Sequence, residues 1–261
     1  MFVPPEISYF NFLGFPIYYY GIILAFAIFV GIVIANKYAL EEYGLFNFVP
    51  QVAASTILGG ILGARLYYCL LNYDFYLRNP FEILALREGG LSIHGAIIGG
   101  LIVLYIHSRQ KDIPFLKICD IFALGMPIAQ AIGRWGNFFN SEAFGLPTAL
   151  PWGMFVRQPF RPDRYFSDEF FHPTFLYESV LDILIFFILI KIILPKYKQN
   201  HGCIAAFYLL LYSVVRLFIE AIRVDCVRYC FGMPFPQVVS IVIIVLMLFF
   251  IVKNTDKDRR V

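Results

Sequence analysis

The chain has 261 residues, 60% of them hydrophobic and only 15% charged, with a formal net charge of +3. Soluble domains hold nearer ~45–50% apolar residues, so an ordinary soluble fold is excluded. The net charge says little by itself; its distribution along the chain says more.

Residues 1–16 contain neither Lys nor Arg and carry Pro4, Pro5 and Pro16. Without the basic head of a secretory leader, the first apolar run is expected to be a permanent span. A bilayer core takes ~20 helical residues. Seven runs approach that length, at 17–36, 49–71, 91–107, 115–134, 177–194, 203–222 and 235–252. The expected fold class is therefore an all-α integral membrane protein with seven transmembrane helices, built as a single membrane domain over 1–261. All eight lysines (37, 111, 117, 191, 196, 198, 253 and 257) fall on one side of that arrangement. The positive-inside rule makes that side cytoplasmic, with the N-terminus outside and the C-terminus inside.

Tyr18, Tyr19 and Tyr20 open the first span, where an aromatic interface belt explains them without any function; Tyr20, followed by Gly21, is also a candidate for lining a ligand. Gly59, Gly60 and Gly63 in the second span, and Gly95, Gly99 and Gly100 in the third, read as surfaces for close helix packing. Arg65 is a charge inside the second span, with Asp120, Glu142 or Glu178 as candidate partners. His94 lies between glycines at the start of the third span (89–95). It is either a buried, hydrogen-bonded imidazole or a proton-transfer group suited to neutral pH.

The fourth span runs into Gly133-Arg134-Trp135-Gly136-Asn137-Phe138-Phe139-Asn140-Ser141-Glu142-Ala143-Phe144-Gly145. A charge at the edge of hydrocarbon costs several kcal/mol and is usually kept where it works. The glycines permit close backbone approach or positive φ. The stretch reads as a site for an anionic, polar group at membrane depth. Residues 138–173 are too polar to span and too long for a turn, and are expected to form a small extracytoplasmic cap. His172-Pro173-Thr174-Phe175-Leu176-Tyr177-Glu178 carries ordinary helix-start signals. In the sixth span Tyr212, Arg216, Glu220 and Arg223 share one helical face. Arg216 and Glu220 form a structural clip, or else the face, left net positive by Arg223, holds a phosphate together with Arg134 by bidentate guanidinium contacts. Cys69, Cys119 and Cys203 read as small hydrophobes, while Cys226 and Cys230 could pair on the outer side. No serine-nucleophile, HExxH, CxxC or Walker motif is present. The inventory of arginines, one histidine, carboxylates and amides fits displacement of a phosphate-bearing leaving group without a metal.

These motifs resemble the prolipoprotein diacylglyceryl transferase family. Residues 133–145 satisfy every fixed position of its G-R-x-G-N-F-x-N-x-E-x-x-G signature, and 89–95, 172–178, the Tyr212/Arg216/Glu220/Arg223 face and Tyr20-Gly21 follow in order. The resemblance implies transfer of the sn-1,2-diacylglyceryl group of phosphatidylglycerol to the lipobox cysteine of a preprolipoprotein signal peptide, releasing glycerol-1-phosphate in the bacterial plasma membrane. It implies Arg134 and Arg216 on the phosphate, with Glu220 orienting Arg216. Asn137, Asn140, Glu142, Gly145, Tyr20, Tyr212 and Arg223 would shape the head-group pocket, and His94 is the candidate base. Its partners are membrane lipid and the signal peptide, with no nucleic acid, cofactor or metal. The chain departs from the family after Arg223, where Val224 precedes Asp225 and a Cys226–Cys230 stretch follows. Three other classes compete, of which a purely structural membrane protein would not need Arg134, Arg216 and Arg223 together. An anion transporter lacks support from broken helices at matching places in two halves, and a metal-dependent head-group transferase from any Asp-rich motif.

Overall fold

The structure is a computed structural model and describes residues 1–86, 89–224, 229–230 and 232–258. Long apolar runs satisfy their own backbone polar groups as helices, and helices dominate the chain. A hairpin of β1 (Tyr9–Phe12) and β2 (Phe15–Tyr18) leads into α1 (Tyr19–Tyr43). Next come α2 (Phe48–Leu71), the short α3 (Tyr73–Arg78), a 3-10 turn (Pro80–Leu84), α4 (Ile93–Gln110) and α5 (Phe115–Phe139). Two-residue strands β3 (Met154–Phe155) and β4 (Phe170–Phe171) precede α6 (Thr174–Ile188). That helix continues through a π turn (Leu189–Ile193) into α7 (Leu194–Tyr197). The chain then forms α8 (Cys203–Ile222), the short pair β5 (Tyr229–Cys230) and β6 (Met233–Pro234), and α9 (Phe235–Asp258).

Five helices are long and apolar enough to cross a membrane: Tyr19–Tyr43, Phe48–Leu71, Phe115–Phe139, Cys203–Ile222 and Phe235–Thr255. The protein is a multi-pass, predominantly helical membrane protein. The two remaining runs expected from sequence, 91–107 and 177–194, are helical as α4 and as α6 with its continuation. Two boundaries move in a way that matters. The first helix, expected to end at 36, carries Lys37, Glu41 and Glu42 on its last turns. Helix α5, expected as the fourth span and to end at Arg134, runs to Phe139, so half of the motif is helical rather than loop.

The chain forms two compact units, one from Met1–Ala35 and Phe122–Val261, the other from Asn36–Ile121. In the second unit, α2 and α4 pack through glycine. A Cβ built on Gly63 would run into the carbonyl oxygen of Gly95, one on Gly95 into that of Gly63, and one on Gly99 into that of Gly59. Gly60 and Gly100 lie off this seam, with nearest neighbours at 3.5 and 3.8 Å. The expected stripe is thus Gly59/Gly63 against Gly95/Gly99. Gly95→Leu should destabilise this unit by about 1–3 kcal/mol, the usual range for overpacking, while Gly100→Leu should leave the melting temperature in detergent within a degree or two. Equal melting of the two variants would remove the seam from the account.

Arg65 is only 5% exposed and pairs with no carboxylate among the described residues. It donates instead to the carbonyls of Ile83 (2.9 Å), Ala85 (3.2 Å), Gly89 (2.7 Å), Gly90 (3.1 Å) and Glu82, and lies 5.4 Å from the Tyr76 ring. A guanidinium has five N–H donors, and here they fasten the segment leading into α4. The Cys226–Cys230 pairing lies outside the described residues, because Cys226 does.

In the first unit, Phe144, Met154, Val156, Phe171 and Phe175 form a buried cluster joined by Phe2 and Phe138. Short backbone pairs knit the segment between α5 and α6: Gly145 N–H to His172 C=O (2.8 Å), His172 N–H to Leu146 C=O (2.9 Å) and Thr148 N–H to Phe170 C=O (2.9 Å). Arg157 ties the N-terminal segment to it through the carbonyls of Pro4 and Pro5, each at 2.8 Å.

Candidate active site

The polar centre of the first unit forms where α5, α6 and α8 bring charges together. Glu178, in the first turns of α6, is 1% exposed and receives three guanidiniums. Arg134 Nη2 lies 2.6 Å from Oε2, Arg216 Nη1 3.0 Å from Oε2, and Arg223 Nη1 3.4 Å from Oε1. Arg216 also donates through Nη2 to Glu220 at 2.7 Å, across one turn of α8. Arg134 Nη2 donates to the Tyr212 hydroxyl at 3.0 Å. Tyr212 stacks on Tyr208 (6.1 Å between centroids), whose hydroxyl donates to Gln130 at 2.7 Å. Burial divides the cluster. The two glutamate side chains are 1–2% exposed and the three arginines 15–18%. The carboxylates make a floor, and the guanidiniums a rim that an anion can reach. Arg134 Nε is buried without a hydrogen-bond partner among the described residues.

Both the clip and the anion-site readings of Arg216 and Glu220 are therefore incomplete. The pair exists, but Glu178 is the residue on which all three arginines converge. In the sequence its role is masked, because Pro173 and an acidic residue in the next turn look like helix-start signals. A second feature was available in the sequence. Glu178, Ser179 and Asp182 put three polar residues into an otherwise apolar helix, and all three are buried. Asp182 has no hydrogen-bond partner for either carboxylate oxygen among the described residues.

The second half of the motif forms a polar loop beside this cluster. Asn137, one turn beyond Arg134 on α5, donates through its amide to Glu142 at 3.2 Å, and Asn140 reaches the other oxygen at 3.5 Å. Positive φ is taken not by the motif's glycines but by Ser141 and Ala143, both at 56°. The glycines serve close approach. A Cβ on Gly136 would sit 2.8 Å from the Tyr20 ring, which lies against α5 beside Asn137. A Cβ on Gly145 would meet the Ile222 carbonyl oxygen at 2.8 Å and the His172 Cβ at 3.1 Å.

Gly145 forms an antiparallel bridge with Arg223, and Leu146 N–H bonds the Ile222 carbonyl at 2.9 Å. That oxygen is pinned, so Gly145→Ala must push the loop from the end of α8. The expected result is about 1–3 kcal/mol lost from stability, together with a displaced Arg223 and a fall in turnover. Wild-type melting and turnover in this variant would contradict the close approach.

His172 Nδ1 lies 3.0 Å from the Tyr177 hydroxyl, which also accepts from Trp152 Nε1 at 3.0 Å. The structure thus brings Tyr20, Arg134, Asn137, Asn140, Glu142, Gly145, Tyr212, Arg216, Glu220 and Arg223 into one unit. His94 lies in the other unit, in the first turn of α4. There it is exposed, not buried, with its ring 6.2 Å from that of Tyr67.

The chain is similar to known proteins over nearly its whole length. The family profile described as prolipoprotein diacylglyceryl transferase matches residues 8–253. A Thermotoga maritima protein named phosphatidylglycerol–prolipoprotein diacylglyceryl transferase is 40% identical over 251 residues, covering 95% of this chain and 85% of its own. Proteins of the same name from Synechococcus elongatus and Fervidobacterium nodosum are 40% and 42% identical over 230 and 219 residues. They align with 87% and 82% of this chain, and with 79% and 74% of their own length.

Proposed function

The chain belongs to the prolipoprotein diacylglyceryl transferase family, and from that membership we propose how its residues carry out the transfer. The donor is phosphatidylglycerol and the acceptor the lipobox cysteine thiol of a preprolipoprotein signal peptide. The sulfur forms a bond to the terminal glyceryl carbon of the diacylglyceryl group. The bond from that carbon to the phosphate oxygen breaks, and glycerol-1-phosphate leaves with the electron pair. The thiol proton passes to a base or to the departing phosphate.

The observation that carries this reading is the convergence of Arg134, Arg216 and Arg223 on Glu178. Leaving-group departure concentrates charge on the phosphate, and donors fixed in advance stabilise that charge without reorganisation. Arg134 and Arg216 hold the phosphate, and Arg223 adds charge at the rim. Glu178 and Glu220 hold the forks in place, and their charge offsets most of the three guanidiniums' charge while leaving a net positive site for the phosphate. Tyr212 orients Arg134, while Tyr20, Asn137, Asn140, Glu142 and Gly145 shape the head-group pocket.

His94 is the proposed base. A thiol near pKa 8.5 is only a few per cent thiolate at neutral pH. His94→Gln is expected to lower turnover roughly 10²-fold, with the largest deficit near pH 6 and a smaller one at pH 8, where more thiolate forms unaided. Near-normal turnover across that range would remove His94 from the chemistry.

In the proposed arrangement the protein is one membrane domain with seven spans, α4 and the α6 continuation joining the five. Segment 138–173 caps it outside the bacterial inner membrane, the N-terminus is external and the C-terminus cytoplasmic. The function is tested by supplying phosphatidylglycerol with a lipobox peptide or with the same peptide carrying Ser for Cys. Glycerol phosphate release only with the thiol peptide is expected; equal release with both would indicate a lipid hydrolase.

A further inference from the structure

The segment ahead of α1 is a two-stranded hairpin with no charged residue from Tyr9 to Tyr18 and apolar side chains on both faces. Its register pairs Tyr9 with Tyr18, Phe10 with Ile17 and Phe12 with Phe15, across a turn where Leu13 and Gly14 take φ of 49° and 85°. Phe12 is 57% exposed, Leu13 83%, Phe15 62% and Tyr18 54%. A lone hairpin is marginally stable in water at best, and an uncharged aromatic edge is an aggregation hazard there. Within hydrocarbon, its unpaired edges would leave backbone polar groups unsatisfied. The membrane–water boundary meets both demands. It solvates the edges and favours aromatic rings that are apolar in body and polar at the tip.

The hairpin is also fixed at that level. Strand β2 ends at Tyr18 and α1 begins at Tyr19, with no linker between them. The Tyr19 N–H bonds the Ser8 carbonyl at 2.9 Å, clamping the base of the hairpin to the first turn of the helix. The Phe10 ring lies 5.9 Å from that of Tyr19, which in turn lies 5.3 Å from Phe139 at the end of α5. The exposed hairpin surface therefore continues the largely exposed surface of α1 and abuts the helix end that carries the Asn137–Glu142 loop.

We propose that β1 and β2 form an interfacial anchor that binds the head-group and carbonyl layer of the bilayer beside the active site. Its occupant is the lipid surface itself, and its tip, Leu13 with Phe12 and Phe15, enters deepest. Through Tyr19 and Phe139 it fixes the height of the site relative to the lipids it draws from.

The test uses the full chain in phosphatidylcholine vesicles and reads the emission of Leu13→Trp after subtraction of the parent protein. Blue-shifted emission, quenched at least two-fold more by lipids brominated near the carbonyls than by lipids brominated near the chain ends, is expected. Water-like emission quenched by neither lipid would overturn the proposal. So would blue-shifted emission that no lipid quenches, which would assign the hairpin to a protein contact such as a second copy. These readouts do not depend on activity, so they stand apart from the proposed reaction. As a functional arm, Phe12→Asp with Phe15→Asp should raise the apparent KM for vesicle-borne phosphatidylglycerol about tenfold and leave kcat on a short-chain, detergent-dispersed donor within two-fold. Unchanged KM in vesicles would also overturn it.

Discussion

Arg216→Lys is expected to lower turnover by roughly 10²–10³-fold, the range for losing one preorganised donor to a developing oxyanion, with the fold preserved. The substitution keeps the charge, so a site needing only positive potential would tolerate it. The geometry requires more. Arg216 uses one guanidinium nitrogen on both oxygens of Glu178, at 3.1 and 3.0 Å, and the other on Glu220 at 2.7 Å. A lysine ammonium is a single point and cannot span two carboxylates while presenting a flat face to phosphate. The expected deficit is in kcat more than in KM, because the interaction grows as the glycerol phosphate departs. Initial rates at saturating phosphatidylglycerol, with folding checked by melting temperature, decide it. A variant within about three-fold of wild type would mean that the fork at Arg216 is structural.

The second large effect is on stability. Glu178→Ala should cost about 3–5 kcal/mol, the usual penalty for removing one partner of a buried ion pair. Here one carboxylate faces three guanidiniums, and its loss leaves like charges converging on an empty position. The variant is expected to express poorly or melt far below wild type in detergent. Glu142→Ala is the contrast. Glu142 is exposed and its partners are neutral amides, so its loss should impair turnover with a melting temperature close to wild type. If the two variants melted alike, Glu178 would not be the keystone of the cluster.

How far the sequence could be read depended on whether a feature is local. Helices α2 and α8 match the apolar runs that predict them because hydrocarbon length fixes a span, and nothing competes. The glycine seam was legible for the same reason: residues four apart on a helix share a face. Only the facing helix separates Gly59, Gly63, Gly95 and Gly99 from the off-seam Gly60 and Gly100. Helix α5 runs past its expected end at Arg134 to Phe139 although the added turn is polar. Asn137 in fact finds Glu142 just beyond the helix, so the turn is satisfied.

The centre of the site was the least legible part. Arg134, Arg216 and Arg223 announced themselves as charges among apolar residues, but their partner is set by the packing of α6 against α8, which no spacing encodes. Arg65 failed in the same way. A carboxylate was the expected partner, and the chain supplied carbonyls from its own 82–90 segment. The hairpin ahead of α1 carried a turn signal in Leu13-Gly14, yet alternation gave no clue, because both of its faces are apolar.

The most direct test of the central claim is a mass measurement on both products at once. Protein reconstituted with phosphatidylglycerol and a lipobox peptide should yield the diacylglyceryl thioether on the peptide cysteine and glycerol phosphate in equal amounts. Arg134→Ala, folded as judged by its melting temperature, should yield neither above background. Phosphatidylglycerol retained by the protein with no adduct, or a full yield from Arg134→Ala, would contradict the account.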